Sequence, residues 1–393
     1  MRGAAGTFIG VHQLHPVRVG TMRVSEAGRR DSGAVGQQMA LGDLIPATLP
    51  PGPAAPLPIL DQRARGTRFI ELSVKSVLNT PASTHMGFWS INPYVGCEFG
   101  CMYCYARDTH KWVVERLEGK QTAPLPRRPA ALPPEEAFEK EILVKSEVAD
   151  VLARTLNPAR LAGQSLVIGT ATDPYQPAER RFRLTRRILE VLTSYHGLSI
   201  EIITKSPLVT RDLEVLQRLS RHNEVNVNIS LATADARLAR RLELRSPVPA
   251  ARLRALRRLT AGGIYAGLIV APIIPGITDD WAGLARLLEA AREAGARYVI
   301  GSALRLGPAA RHRFLPFLQR EFPQLYERYR RHYAKSDASS RSYQEALTRR
   351  LNALRQAFGF AGDEASSRRR RRLEESEREA VATNDSVEQP VLL

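Results

Sequence analysis

Leu198-Ser199-Ile200-Glu201-Ile202-Ile203-Thr204 is a β-type run that alternates apolar and polar side chains as far as Ile202 and stops at Lys205-Ser206-Pro207. Arg211–Arg221 then brings Leu213, Leu216 and Leu219 near one face, and Val225-Asn226-Val227-Asn228-Ile229-Ser230-Leu231 alternates again. A period near two, then one near three and a half, then two reads as strand, helix, strand. A helix between two strands is the usual means of making them parallel neighbours.

The same unit repeats outward in both directions. Further strands are expected at Phe88–Asn92, Ser165–Gly169, Tyr265–Ala271 and Arg297–Ser302, with the two above making six. Helices are expected at Glu135–Thr155, Thr185–Tyr195, Pro249–Ala261 and Trp281–Ala294, with another helical region after Pro308. The predicted class is α/β. Six strands with following helices are too few for a closed eight-unit barrel, yet right-handed crossovers all curl the sheet one way. The expected architecture is therefore a partial (β/α)6 TIM-like barrel of parallel strands. Its chemistry should gather in the loops at the carboxyl ends of the strands.

Composition suits such a fold, with 44% hydrophobic and 6% aromatic residues among 393. The run Gly267–Ile277 is interrupted by Pro272 and Pro275 and falls short of the ~20 residues of a spanning helix, so no membrane insertion is expected. The N-terminal stretch lacks the roughly 7–15-residue apolar segment of a secretory signal, and a cytoplasmic location is expected. Residues 1–65, with Pro50-Pro51-Gly52-Pro53, read as a mostly disordered extension, and Met22 and Met39 offer later starts. Residues 66–306 make the core, 307–361 a helical extension, and 362–393, rich in Ser, Arg and Glu, a disordered charged tail.

The formal charge is +17, and eight arginines stand against one glutamate between Arg237 and Arg258. Such a balance attracts polyanions, so nucleic acid enters as a partner. Arginines on solvated helix faces are the plainer reading.

Directly after the first strand stands Asn92-Pro93-Tyr94-Val95-Gly96-Cys97-Glu98-Phe99-Gly100-Cys101-Met102-Tyr103-Cys104-Tyr105-Ala106-Arg107. Its three cysteines are the only ones in the chain, which excludes a disulfide scaffold. Three thiolates on a loop relaxed by Gly96 and Gly100 can wrap three corners of an iron-sulfur cube and leave the fourth iron open. Structural zinc on Cys97, Cys101, Cys104 and His110 is the competing reading, although zinc motifs usually pair their ligands from two separated knuckles.

C-x3-C-x2-C with an aromatic, Tyr103, before the third cysteine resembles the signature of the radical SAM superfamily. Within it the chain is similar to the branch related to the spore photoproduct lyases. The likeness covers about residues 68–306, through Gly169-Thr170-Ala171-Thr172-Asp173-Pro174-Tyr175-Gln176-Pro177-Ala178-Glu179 and Ala271-Pro272-Ile273-Ile274-Pro275-Gly276-Ile277-Thr278-Asp279. The resemblance implies a 4Fe-4S cluster on Cys97, Cys101 and Cys104. It also implies S-adenosylmethionine chelating the open iron, and an electron donor such as flavodoxin or ferredoxin.

The cofactor would then need partners for its ammonium, carboxylate, ribose and adenine. Thr172 and Asp173 suit the ammonium, with an Asp-Pro turn as the rival reading. Lys205 suits the carboxylate and Ser230 the ribose or carboxylate, although a serine hydrogen-bonded to backbone is as ordinary. Ile273 and Pro275 are expected along the adenine, and Tyr103 at its edge. Glu243, alone among arginines, reads as a surface residue.

The expected reaction is reductive cleavage of S-adenosylmethionine to methionine and a 5'-deoxyadenosyl radical, which takes hydrogen from a substrate; the protein supplies orientation and water exclusion. The lyases of this branch are understood to employ a further cysteine as hydrogen donor. This chain has none beyond the three, so either Tyr105 or Tyr175 substitutes or the reaction differs. A different reaction is the preferred expectation. A nucleic-acid repair or modification enzyme and a non-catalytic zinc or nucleic-acid-binding module are the alternatives.

Overall fold

The computed structural model describes residues 58–63, 66–84, 87–119 and 132–360. The C-terminal tail expected at 362–393 lies outside them, as does most of the N-terminal extension. Eleven strands occur among the described residues: β1 (Ile59–Gln62), β2 (Arg68–Glu71), β3 (Leu78–Asn79), β4 (Trp89–Ile91), β5 (Tyr94–Val95), β6 (Glu141–Val144), β7 (Ser165–Ile168), β8 (Ser199–Thr204), β9 (Glu224–Ser230), β10 (Tyr265–Ile273) and β11 (Val299–Ala303).

All six expected strands are present, as β4 and β7–β11. They lie side by side in chain order and are parallel throughout, with β3 added antiparallel at the β4 edge. Register runs straight across the centre, Ile168 beside Ile202 and Ile202 beside Val227. Among the described residues, β3 and β11 remain as edges, so the sheet is open.

Along β8 the alternation seen in the sequence is physical: Ile200, Ile202 and Thr204 are buried and the residues between them half-buried. Strand β9 is buried at nearly every position, as a strand covered on both faces must be. Helix Leu184–Leu192 presses Leu184, Ile188, Leu189 and Leu192 into the core, and helix Leu213–Leu219 adds Val215, Leu216 and Leu219. Fully burying each such side chain contributes roughly 1.5–3 kcal/mol. Helix Arg341–Ala357 lies along β11, and its Leu351 sits so close to Gly301 that a Cβ there would meet it at 2.9 Å.

A second, four-stranded sheet, ordered β1-β2-β6-β5, corrects the sequence reading. The helix expected at Glu135–Thr155 is two helices, Pro134–Lys140 and Val148–Thr155, with β6 between them. Ile142, Leu143 and Val144 are all wholly buried, held between β2 and β5. Three consecutive apolar side chains satisfy a strand covered on both faces better than one helix stripe, and tertiary pairing decides the matter. Strand β1 also draws Ile59–Gln62 out of the expected extension and onto β2.

Helices Pro308–Glu321 and Pro323–Tyr333 follow β11. Their Phe314, Phe317, Leu318, Tyr329 and Tyr333 form one apolar cluster with Cys97, Cys101 and the residues around them. Asp108, from the helix that leaves the cysteine loop, accepts from the Ala309 amide at 2.8 Å and so caps the first of these helices from a distance. Among the described residues no helix is long and apolar enough to cross a membrane.

Candidate functional site

The cysteine loop starts where β4 ends, at the carboxyl edge of the parallel sheet. Gly96 has φ +94°, and a Cβ there would stand 2.9 Å from the Phe138 carbonyl. Gly100 has φ +61° and is crossed by the Arg245 guanidinium and the Glu139 carboxylate. Both turns therefore demand glycine. The Cys97 amide donates to the Phe138 carbonyl at 2.9 Å, and the Met102 amide to the Leu242 carbonyl at 2.9 Å. The loop is thus fastened to helix Pro134–Lys140 on one side and to the segment after helix Ala236–Leu242 on the other.

Asn92 and Gln176 tie the loop to the turn after β7. Asn92 accepts from the Ala171 amide at 2.8 Å and donates to Thr170 Oγ1 at 3.0 Å. Gln176 accepts from the Glu98 amide at 2.9 Å and donates to the Gly96 carbonyl at 3.2 Å. Thr172 Oγ1 donates to that same carbonyl at 2.6 Å. Thr172 thus braces the loop, a duty its place in the sequence did not announce.

Cys97 and Cys101 are buried, Cys104 is half-buried, and all three are free thiols. Burial pushes every one of them up, Cys101 to about 12, and Cys97 is raised further by Asp173 and Cys101. Lys205 and Arg107 pull the other way at Cys101 and Cys104, but burial is the larger effect. Among the described residues no three His, Cys, Asp or Glu side chains gather closely enough to hold a single ion. His110 instead turns its Nε2 to the Glu141 carbonyl at 3.1 Å and its ring edge to Phe138. The arrangement disfavours a tetrahedral zinc site completed by His110. A cube, whose irons occupy separate corners, does not require the thiolates to converge on one point.

Beside the sulfurs lies a buried polar group. Lys205, at the end of β8, donates to Ser230 Oγ at 3.1 Å and lies 5.8 Å from the centre of the Tyr103 ring. Burial works to lower the Lys205 pKa, but its negative surroundings, the Glu243 carboxylate among them, leave it raised. Glu243 corrects the sequence reading: it is 2% exposed, paired with Arg252, and accepts the Tyr103 hydroxyl hydrogen. Burial would raise the Glu243 carboxyl, yet Arg252 and Lys205 hold it below its ordinary range. Arg252 also donates to the Ser230 carbonyl at 2.9 Å and the Pro247 carbonyl at 2.8 Å. The network therefore fixes Tyr103 and the Lys205–Ser230 pair to the strand ends together.

Other expected residues take different places. Asp173 accepts from the Tyr175 amide at 2.9 Å, Thr204 Oγ1 at 2.7 Å and the Lys205 amide at 2.7 Å. That is the Asp-Pro turn reading, with the carboxylate engaged internally. Tyr175 is wholly buried in the main core with Ile91 and Ile168, not in the cluster around the cysteines. Ile273 is buried among Leu284, Leu347 and Leu351, while Ile274, pointing the other way, joins the cysteine cluster. Tyr105 is half-exposed and its hydroxyl donates to the Thr170 carbonyl. Asn92, Gln176, Ser246 and Arg252 escaped sequence reasoning because their partners lie 9 to 145 residues away.

A model of the Radical SAM superfamily matches residues 91–288, a span that begins in β4 and includes the cysteine loop. The chain belongs to the radical SAM superfamily. It is an enzyme of this class by family, and members typically employ a 4Fe-4S cluster and S-adenosylmethionine. An uncharacterized protein of Mycobacterium tuberculosis is 33% identical over 300 residues, covering 76% of this chain and 83% of that protein. One from Methanocaldococcus jannaschii is 26% identical over 267 residues, covering 66% and 85%. Among solved structures, a spore photoproduct lyase point mutant is similar with a TM-score of 0.50 at 14% identity, covering 74% of this radical SAM chain and 79% of that one. A second mutant, with dinucleoside spore photoproduct, also has a TM-score of 0.50, at 13% identity and the same coverage. These two likenesses speak to the fold.

Proposed function

We propose that this radical SAM protein holds a 4Fe-4S cluster on Cys97, Cys101 and Cys104 and cleaves S-adenosylmethionine reductively. The carrying observation is the meeting of three free, buried or half-buried thiols with the Lys205–Ser230 pair at the carboxyl ends of parallel strands. When bound, the cluster supplies one electron to the sulfonium, giving methionine and a 5'-deoxyadenosyl radical. The protein does the rest. Lys205 neutralises the cofactor carboxylate with Ser230 beside it, and the Glu243–Arg252 pair keeps Lys205 and Tyr103 in position. Ile274, Leu304 and the aromatic helices after Pro308 exclude water.

In this reading residues 66–306 are the radical SAM core, curled as a partial barrel, and 307–361 are an extension that closes it. With Asp173 engaged in its turn and the Thr172 hydroxyl on the Gly96 carbonyl, the cofactor ammonium is left to backbone carbonyls of the turn after β7. Tyr105, next to Cys104 and half-exposed, is the tyrosine placed to meet a substrate radical; Tyr175 in the core is not. With no cysteine beyond the three ligands, the favoured reaction differs from photoproduct repair. Metal content tests the cofactor: anaerobically reconstituted protein should carry about four irons and four sulfides per chain. Cys101→Ala should carry far less, and a colourless protein with one zinc would refute the proposal.

A further inference from the structure

The reductive cleavage proposed above needs an electron from outside, and of the ligands that would hold the cluster Cys97 and Cys101 are buried and Cys104 half-buried. Arg245 lies across Gly100, donates to the Glu98 carbonyl and is 39% exposed. Its neighbour Ser246 is buried, with its hydroxyl 3.6 Å from Cys101 Sγ. On either side of this pair stand Leu244 and Val248, 40% and 41% exposed.

Charge around them is sorted by depth. Arg63 pairs with Glu98 at 3.0 Å, and Arg313 with Glu139 at 3.4 Å; Arg245 pairs with Glu139 as well. Both carboxylates are nearly buried, at 9% and 3%, whereas the Arg63 and Arg245 side chains are 43% and 39% exposed. Arg240 adds its guanidinium along the Leu244 carbonyl at 2.7 Å. The surface therefore presents cations, with the compensating anions underneath.

We propose that this surface, the exposed Leu244 and Val248 with Arg240 and Arg245 on the same segment and Arg63 and Arg313 on the carboxylates that Arg245 also meets or neighbours, is where an acidic one-electron donor protein docks. The inference rests on the cluster reading above. An apolar centre with a charged rim is the anatomy of a protein interface, and a basic rim steers an acidic partner and speeds encounter. Nucleic acid is the weaker occupant, since phosphates gain nothing from two exposed aliphatic side chains at the centre. In the docked complex the reduced donor loses one electron, the cluster gains it, and no atom is transferred.

The test compares reconstituted full-length protein with the Leu244→Glu/Val248→Glu double variant. Three reductants are supplied: dithionite, reduced flavodoxin and reduced ferredoxin. Cluster reduction is followed by stopped-flow absorbance and donor binding by calorimetry. The expected result is unchanged reduction by dithionite, at least tenfold slower reduction by one of the protein donors, and weakened binding of that donor. In the unaltered protein that binding should weaken with salt. Equal rates with the protein donors, or reduction of unaltered protein by neither donor, would overturn the docking surface while dithionite still works. Loss of affinity for a short DNA duplex with donor reduction intact would overturn it in favour of nucleic acid. Failure to form a cluster, or to reduce one with dithionite, would remove the cofactor reading and this inference with it.

Discussion

Lys205 keeps its charge in a half-buried setting beside the Glu243 carboxylate, which works against the cost of burial. Replacing it by Met keeps the stem but removes the cation that would meet the cofactor carboxylate. A charge-assisted hydrogen bond contributes roughly 1.5–3 kcal/mol, so Lys205→Met should weaken S-adenosylmethionine binding on the order of ten- to a hundredfold at unchanged iron content. Equilibrium dialysis of the reconstituted protein measures this. Ser246 makes a quieter contribution. Its hydroxyl faces Cys101 Sγ at 3.6 Å, and hydrogen bonds to ligand sulfurs favour the reduced, more negative form. Ser246→Ala should therefore lower the midpoint potential in an EPR-monitored titration while leaving the iron content unchanged. A potential that stays in place would remove Ser246 from the electronic account.

The helix Pro134–Lys140 supports the loop through one carboxylate. Glu139 meets Arg107, which is wholly buried and donates to the Cys101 carbonyl at 2.9 Å, and also Arg245 and Arg313. Burial alone would raise the Glu139 carboxyl; Arg107 first, with the other arginines, holds it below its ordinary range. A carboxyl depressed by folding stabilises the protein above its unfolded pKa near 4.5, and that contribution disappears as pH falls through the lower folded value. Glu139→Gln leaves Arg107 buried without its counter-charge, so it should destabilise by roughly 3–5 kcal/mol at neutral pH. The gap to the unaltered protein should narrow below about pH 4. Denaturant titrations at both pH values decide it, and a gap that persists unchanged would argue that the carboxylate is not the pairing group.

The parallel strands were legible because strands covered on both faces leave apolar runs that no other element explains as well. The helix–strand–helix course of residues 134–155 was not, since Ile142, Leu143 and Val144 fit a helix stripe until β2 and β5 are in place to receive them. At the site, three cysteines at tight spacing announced themselves. Glu243 did not, for its partner Arg252 lies nine residues on in a stretch full of other arginines, and only the return of that segment to the strand ends joins them. Asp173 was visible as a carboxylate in the right loop, but only coordinates could decide between a free acceptor and a turn already engaged by three donors.

For the whole molecule, the cysteine loop is the hub. It is pinned by the turn after β7, the helix Pro134–Lys140 and the 242–248 segment, and it shares an apolar cluster with the helices after Pro308. Those connections hold the cysteine loop beside Lys205 and Ser230 at the carboxyl ends of the strands. The decisive measurement is the anaerobic yield of 5'-deoxyadenosine when dithionite-reduced, reconstituted protein is given S-adenosylmethionine. The account predicts time-dependent product with the unaltered chain and none above background with Cys101→Ala. A fully loaded, reduced cluster that yields no 5'-deoxyadenosine would contradict it.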